Sequence, residues 1–405
     1  MAPPKEDDKN MDRLFPYFII LAVVTALFSL PCWRFLDDPA SGGQRVGSLD
    51  GMRGYLALSV MLHHAVVARN WMQSGIWELP QDPFYAQLGS IAVSLFFMIT
   101  GYLFWGKLVA KNGRPNWIAL YVGRVFRIAP VYLLALVGLL IVVMVRSQWE
   151  LREPANVLAR ELLRWLALGL LPGPDVNGVV HTGLILAGVT WTLSFEWMFY
   201  GALLPLSLVA RRRWHLIAAS MILCVSVAES ILSVHAIWHY VLLFSVGMVT
   251  SSLRAVGWRL KANDALLSPA ALAMLVGVLF IHSGPYTIGQ SLPLGVFFLL
   301  VCNGASLFGL FRARPAVRLG HISYSIYLLQ GFVFSVGFDN PLMRGVLVSG
   351  GSVPFWGITG AGAIVLCAVA SVVYALMERP CIELGRRVGS GAASRGGKWL
   401  AASGG

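Results

Sequence analysis

A short polar stretch, followed by an apolar run that ends in two histidines, carries the residue types best suited to chemistry. Asp50 and Arg53 lie in the polar stretch, and the run ends at His63 and His64. Arg53 and His64 are eleven residues apart, so on an α-helix they share a face to within about 20° and lie roughly 16 Å apart. An arginine can bind phosphates, and a neutral histidine can remove the proton of a hydroxyl. The spacing therefore suits a long thioester donor such as acyl-coenzyme A, with its phosphates at Arg53 and its thioester near His64.

The composition of the chain is that of an integral membrane protein. Of its 405 residues, 57% are apolar and 12% are charged, and the mean hydropathy is +0.70. A soluble domain is about one-quarter charged. A bilayer-spanning helix needs about 20 mostly apolar residues, and such runs recur along the whole sequence. The sequence therefore predicts an all-α fold, a polytopic transmembrane helical bundle.

The apolar runs predict ten core spans and one extra span ahead of them. The extra span is 14–33, which follows a polar N-terminal tail over 1–13 and lacks the small-residue cleavage pattern of a signal peptide. The membrane domain is predicted over 45–388, and the Gly/Ser/Ala-rich segment 389–405 is predicted to be a disordered tail. The core spans are predicted at 49–69, 88–109, 126–146, 189–209, 214–232, 236–252, 266–282, 291–311, 321–338 and 353–377.

The net charge of +12 indicates membrane orientation, and no nucleic-acid partner is expected. The basic residues form short clusters between apolar runs, where the positive-inside rule places them. If the run that opens at Leu49 starts in the cytoplasm and every later run crosses, most of these clusters face the cytoplasm. Arg53 then lies at the cytoplasmic side and His64 deeper along the same helix face.

Several other kinds of site are not indicated. The five cysteines show no spacing typical of a metal site or a disulfide framework. There is no phosphate-binding Gly-rich loop and no Gly-x-Ser-x-Gly nucleophile motif. No metal is therefore expected.

Six segments, in one order, resemble the motifs of the membrane acyltransferase-3 family. Any one of them is a weak signal, but their order along about 45–388 makes the resemblance specific. They are Leu49–Gly54 with His64, Phe96–Tyr102, Arg124–Pro130, Trp191–Tyr200, Leu319–Leu328 and Glu378–Pro380.

The resemblance implies an O-acyltransferase that moves an acyl group, most simply acetyl from acetyl-CoA, to a hydroxyl of a glycan or lipid-linked sugar such as O-antigen or exopolysaccharide. It implies a multi-pass protein of the bacterial cytoplasmic membrane. It assigns catalysis to His64, Arg53 and Glu196, and donor binding to Arg53, Arg124 and Arg127. The residues expected to bind substrate are Asp50, Trp191, Tyr200, Tyr324 and Ser325.

Each assignment has an alternative. Arg124 and Arg127 can equally be positive-inside residues, and Tyr324 and Ser325 can equally be polar groups that pack helices together. Gln330 stands where the family commonly has a histidine. If that histidine helps to bind the acceptor, the acceptor site of this chain differs from that of other family members. A multi-span transporter or exporter is the alternative function, although no inverted repeat of broken helices is visible. The sequence gives no oligomeric state.

Overall fold

The computed structural model describes residues 6–37, 47–211, 213–280, 284–338 and 340–402, with the backbone alone for 6–13, 280 and 391–402. These residues form fifteen α-helices joined by turns and short 3-10 or π-helical segments. The all-α prediction is confirmed for this part of the chain.

The first eight helices lie between Glu6 and Ala255. They are α1 (Glu6–Ser29), α2 (Gly47–Ser74), α3 (Pro83–Ala110), α4 (Trp117–Arg146), α5 (Ala155–Leu166), α6 (Trp191–Leu206), α7 (His215–Leu232) and α8 (Ile237–Ala255). The remaining helices are α9 (Asp264–Phe280), α10 (Ile288–Cys302), α11 (Arg314–His321), α12 (Ser323–Phe332), α13 (Pro341–Ser349), α14 (Ser352–Val373) and α15 (Arg379–Ala402). Two π-helical segments, Val333–Phe338 and Tyr374–Glu378, follow α12 and α14.

A helix lies at each predicted span, but length and composition alone support fewer crossings. Among the described residues, four helical stretches are long and apolar enough: α3, α4, α7 and Ser352–Ser390. A fifth is the pair α11 and α12, which is bent by 62°. α6 and α10 have only 16 and 15 residues, and α2 carries three charged residues and two histidines. The chain is thus a protein with several candidate spans, and the count of ten plus one stays a prediction.

The two ends of the described chain differ from their expected outlines. α1 begins at Glu6, within the segment expected to be a polar tail, and its apolar part is Leu14–Ser29. At the other end, where disorder is predicted over 389–405, the backbone is helical through Ala402. Residues 403–405 lie outside the described residues.

Close backbone packing holds the polar start of α2 inside the bundle. A Cβ atom on Gly51 would overlap the backbone carbonyl of Phe311, and one on Gly320 would overlap the carbonyl of Asp50. Only glycine permits so close an approach. α2 therefore touches α11 backbone to backbone, and this contact fixes where Asp50 and Arg53 lie.

A buried arginine ties the end of α1 to α11. The Arg318 side chain is 4% exposed and its guanidinium donates to both carboxylate oxygens of Asp37, at 2.7 and 2.8 Å. It also donates to the backbone carbonyls of Phe28 and Leu30, at 2.7 and 3.1 Å. The guanidinium of Arg318 lowers the pKa of Asp37 below its ordinary value, so the carboxylate form is the one that the fold stabilises.

We expect Asp37→Asn to lower the midpoint of thermal unfolding in detergent. Losing the ion pair with Arg318 should lower the free energy of unfolding by about 1 kcal/mol, because the Asp37 carboxylate is partly exposed and solvent screens the pair. Since folding depresses the pKa of Asp37, its contribution is present above about pH 5 and declines as the pH falls through the lowered pKa. Midpoints measured from pH 7 to pH 3 should therefore converge for the two proteins in acid.

The matched control is Glu150→Gln, which changes an exposed carboxylate with no ion pair among the described residues. A midpoint difference between Asp37→Asn and the unsubstituted protein that stays constant down to pH 3 would contradict the assignment.

Candidate active site

A cavity of about 830 Å³ opens among α2, α3, α4, α6, α12 and α15. Its walls carry seven cationic side chains and three acidic ones, so the formal charge of the lining is +4. The cations are Arg53, Lys107, Arg124, Arg127, Arg379, Arg386 and Arg387, and the acids are Asp50, Glu196 and Glu383. Such an excess of positive charge in a low-dielectric enclosure attracts anions strongly. We call this space the cationic cavity.

Two cations share one aromatic ring in the wall of the cationic cavity. The guanidinium carbon of Arg124 lies 4.7 Å from the centroid of the Phe104 ring, and Lys107 Nζ lies 4.8 Å from the same centroid. Each contact is favourable as a cation–π interaction, but two like charges so close together repel each other. A bound anion between them would offset this repulsion.

A buried ion pair holds a third cation of the cationic cavity. Arg127 Nη1 donates to Glu378 Oε1, and the Glu378 side chain is completely buried. Ser325 donates from its hydroxyl to the other carboxylate oxygen, Glu378 Oε2, at 2.7 Å. Glu378 is the last residue of the π-helical segment Tyr374–Glu378, a distortion that often occurs at functional positions. The pair joins α4 to the start of α15, with α12 in support.

Glu378 belongs to the motif Glu378–Pro380, but the sequence did not indicate a role for it in the site. The available signal was its type and place, because an acid at the end of an apolar run is costly to bury and needs a partner. Its partner Arg127 is 251 residues away along the chain, so local pattern alone did not reveal the pairing.

An acid and a tyrosine from α6 also face the cationic cavity. Tyr200 donates from its hydroxyl to Glu196 Oε2 at 2.8 Å. The two residues are four positions apart on α6 and so lie on one face. Tyr324 lines the cavity from α12, and its hydroxyl donates to the backbone carbonyl of Ile128 at 2.9 Å.

The structure brings most of the predicted site residues into the cationic cavity. Those in its wall are Asp50, Arg53, Arg124, Arg127, Glu196, Tyr200 and Tyr324. Ser325 is instead buried behind the wall, where its hydroxyl supports Glu378. Trp191 lies in an aromatic cluster with Phe195 and Tyr240, at centroid distances of 5.7 and 5.4 Å.

His64 lies deeper along α2, beyond the wall of the cationic cavity. His64 Nδ1 is 3.0 Å from the backbone carbonyl oxygen of Val60. A carbonyl oxygen only accepts hydrogen bonds, so Nδ1 carries the proton and Nε2 of the neutral ring keeps its lone pair. The ring stacks on Trp77, with centroids 6.2 Å apart. The side chain of Gln330 is a further hydrogen-bonding neighbour of the His64 ring.

The contacts of the neighbouring His63 indicate a structural role. Its side chain is buried, and Nδ1 donates to the backbone carbonyl of Tyr85 at 2.7 Å. The ring also packs against Gly89 of α3. His63 thus joins α2 to α3. Among the described residues, no group of three or more His, Cys, Asp or Glu side chains is placed to hold a metal ion.

Fold and cavity together define a class, a helical protein with candidate membrane spans and a cavity of positive formal charge inside its bundle. The comparisons with known proteins make this class specific. The sequence profile of the acyltransferase-3 family, described as an acyltransferase domain, matches residues 46–374. The chain belongs to this family of membrane acyltransferases. It is an acyltransferase, and the transporter alternative is not supported.

Two curated relatives each match more than three-quarters of the chain. It is 28% identical over 385 residues to acyltransferase MdmB of Streptomyces mycarofaciens, covering 85% of this chain and 93% of that one. It is 28% identical over 327 residues to exopolysaccharide production protein ExoZ of Rhizobium meliloti (strain 1021), covering 76% and 95%. No solved structure gives a significant match.

We expect Glu378→Gln to lower thermal stability in detergent more than neutralising any of the three acids that line the cationic cavity. Removing one partner of a buried ion pair costs about 3–5 kcal/mol, since the other charge stays buried and uncompensated. Ser325→Ala should cost less, about 1 kcal/mol, because it removes a hydrogen bond and leaves the ion pair.

Glu383→Gln is the matched control. Glu383 lines the same cavity, but its side chain is 48% exposed and pairs with Arg379 on the same helix at 3.3 Å. Removing the charge of Glu383 should change the free energy of unfolding by less than about 0.5 kcal/mol. Equal unfolding midpoints for Glu378→Gln and Glu383→Gln would refute the role given to Glu378.

Proposed function

We propose that this acyltransferase moves an acyl group, most simply acetyl, from acyl-CoA to a hydroxyl of a cell-surface glycan or glycolipid. The observation that carries the proposal is the cationic cavity with a formal charge of +4. Coenzyme A carries several phosphate charges on its nucleotide end, and cationic side chains bind phosphates through charge-assisted hydrogen bonds. Family membership supplies the acyl transfer itself.

Arg53, Arg124 and Arg127 are the proposed donor-binding cations. Arg53 lies one helical turn from Asp50, with Nη1 3.7 Å from Asp50 Oδ1. This weak ion pair restricts the orientation of the Arg53 guanidinium. Most of its N–H donors stay available to bind phosphate. Arg127 is fixed by Glu378, and Arg124 stands over Phe104. Three cations on two helices can thus surround the nucleotide end of the donor.

Glu196 and Asp50 are proposed to select the donor's orientation. Their negative charges repel phosphates, so the phosphates settle among the cations and away from these two carboxylates. Glu196, held by Tyr200, can accept a hydrogen bond from a neutral amide of the pantetheine arm, and the ring of Tyr324 can pack against the arm. Trp191 is outside this cavity, so its role in substrate binding stays a prediction.

His64 is the proposed general base. The acceptor hydroxyl oxygen attacks the thioester carbonyl carbon while His64 Nε2 takes the hydroxyl proton. The carbon–sulfur bond then breaks, and the proton passes from His64 to the leaving thiolate of coenzyme A. The products are the O-acyl ester and free coenzyme A. A relay through an acyl-histidine is the second route that the same geometry allows.

The acceptor class is proposed from the relative ExoZ, whose name links it to exopolysaccharide production. An exopolysaccharide unit or another lipid-linked sugar, such as O-antigen, fits a membrane-embedded enzyme because it is made and exported at the bacterial cytoplasmic membrane. If the ten predicted core spans cross the bilayer with Arg53 toward the cytoplasm, the cationic cavity opens on the side where acyl-CoA is made.

We expect His64→Ala to lower kcat for glycan acylation by about 10²- to 10⁴-fold, the usual contribution of a general base. The assay follows transfer of labelled acetyl from acetyl-CoA in membranes that retain the protein. The control is His63→Gln, whose amide can still donate to the Tyr85 carbonyl. Acylation by His64→Ala at the rate of the unsubstituted protein would rule out His64 as the base.

We expect Arg53→Gln to raise KM for acyl-CoA by about 10- to 100-fold with a smaller change in kcat, because hydrogen bonds between charged groups contribute about 1.5–3 kcal/mol. The effect should disappear with acyl-pantetheine, a donor without the nucleotide phosphates. Arg259→Gln, which neutralises an exposed cation outside the cavity, is the control. A KM increase of equal size for acyl-pantetheine would show that Arg53 does not bind phosphate.

A further inference from the structure

The cations of the cationic cavity divide into two groups by their partners. Three of them form ion pairs with acidic side chains. The pairs are Arg53 with Asp50, Arg127 with Glu378, and Arg379 with Glu383. Within the part of the chain that the structure describes, Lys107, Arg124, Arg386 and Arg387 have no ion pair. The charges of these four side chains are therefore the ones that remain for a ligand.

Three of the unpaired cations lie close together, and we call Lys107, Arg124 and Arg386 the outer cluster. Lys107 and Arg124 share the ring of Phe104, at 4.8 and 4.7 Å from its centroid. Arg386 lies near enough to Lys107 for their charges to repel each other. Side chains from α3, α4 and α15 thus bring three positive charges to one place, an arrangement that a bound anion would stabilise.

Close packing of α15 on α4 determines where Arg386 lies. A Cβ atom on Gly385 would come within 2.7 Å of the Cβ atom of Phe126. Only glycine lets the two helices approach so closely. Because Gly385 directly precedes Arg386, this contact keeps Arg386 beside the helix that carries Arg124.

The outer cluster is more exposed than the paired cations of the same cavity. Lys107 and Arg386 are exposed, whereas the side chains of Arg53 and Arg127 are 25% and 16% exposed. The cavity therefore offers cations at two depths, with ion-paired arginines inside and the unpaired outer cluster nearer its entrance.

Coenzyme A carries phosphate at two separate places on its ribose. A diphosphate on the 5′ carbon leads to the pantetheine arm, and a phosphate monoester on the 3′ carbon carries a charge of about −2 at pH 7. Two groups of cations match these two anionic groups. The arm of an acyl carrier protein has one phosphodiester, which would leave the outer cluster without a ligand.

We propose that the outer cluster is the subsite for the 3′-phosphate of coenzyme A, and that it selects free acyl-CoA over an acyl carrier protein. The inference rests on the proposed function and adds Lys107 and Arg386 to the donor site. The 3′-phosphate oxygens accept hydrogen bonds from the ammonium and guanidinium groups. Arg53 and Arg127 then bind the diphosphate, with Arg124 near both groups of cations.

The first measurement compares acetyl-CoA with acetyl-dephospho-CoA, which lacks only the 3′-phosphate, as donors for the full-length protein in detergent. We expect Lys107→Gln and Arg386→Gln each to raise KM for acetyl-CoA about tenfold with little change in kcat, because each removes charge-assisted hydrogen bonds to phosphate. Neither variant should change KM for acetyl-dephospho-CoA by more than about twofold. Arg53→Gln should raise KM for both donors, since both retain the diphosphate.

Lys111→Gln is the matched control. Lys111 lies one helical turn beyond Lys107, is exposed and is outside the cavity, so this variant removes the same charge from the same end of α3. It should leave KM for both donors unchanged. Unfolding midpoints equal to that of the unsubstituted protein confirm that the variants fold. An unchanged KM for acetyl-CoA, or an equal rise for both donors, in Lys107→Gln and Arg386→Gln overturns the subsite.

The second measurement needs no acyl transfer and follows, by calorimetry, the binding of adenosine 3′,5′-bisphosphate and of adenosine 5′-monophosphate. We expect the bisphosphate to bind about tenfold more tightly, and Lys107→Gln to remove most of this preference. Equal affinities for the unsubstituted protein overturn the subsite. A preference that disappears in micelles enriched in phosphatidylglycerol also overturns it, because a lipid headgroup would then be the occupant of the outer cluster.

The two measurements separate failure of the subsite from failure of the proposed function. A preference for the bisphosphate that depends on Lys107 supports the subsite even where no acetyl is transferred. Acetyl transfer with equal KM for acetyl-CoA and acetyl-dephospho-CoA supports the proposed function and shows that the subsite is wrong.

Discussion

The interaction on which the site depends is the buried ion pair between Arg127 and Glu378. A carboxylate with no exposed surface is tolerated only when a cation and further hydrogen bonds compensate it, and here Arg127 and Ser325 do so. The pair brings α4 against the start of α15. As a consequence, Arg124 of α4 and three arginines of α15 lie around one cavity, instead of being spread over separate loops.

α2 connects the parts of the molecule that the proposed reaction needs. Its first turns are held against α11 by the contacts of Gly51 and Gly320, which leave no room for side chains. Its polar side chains then face fixed neighbours, since buried polar groups must find partners within the protein. The His63 side chain donates a hydrogen bond to the Tyr85 carbonyl, His64 donates to the Val60 carbonyl, and Arg69 donates to the Gly351 carbonyl.

Local regularities of the sequence determined the positions of the helices, the family and part of the proposed site. Helix geometry put Arg53 and His64 on one face of a predicted helix, apolar runs located the helices, and the order of the motifs gave the family. Some of the cations that charge patterning assigned to one side of the membrane, among them Lys107, Arg124 and Arg127, line one cavity. These properties depend on residues close together in the chain, which is why periodicity and spacing reveal them.

Tertiary structure alone decided the rest. Ser325 lies behind the wall because it meets Glu378, 53 residues away, and Trp191 joins an aromatic cluster instead of the cationic cavity. The 62° bend between α11 and α12 and the partner of Glu378 were not predicted. Each depends on contacts between helices that are distant in sequence. Which faces meet is decided by packing and by the need to pair buried charges, and a pattern within one segment does not carry that information.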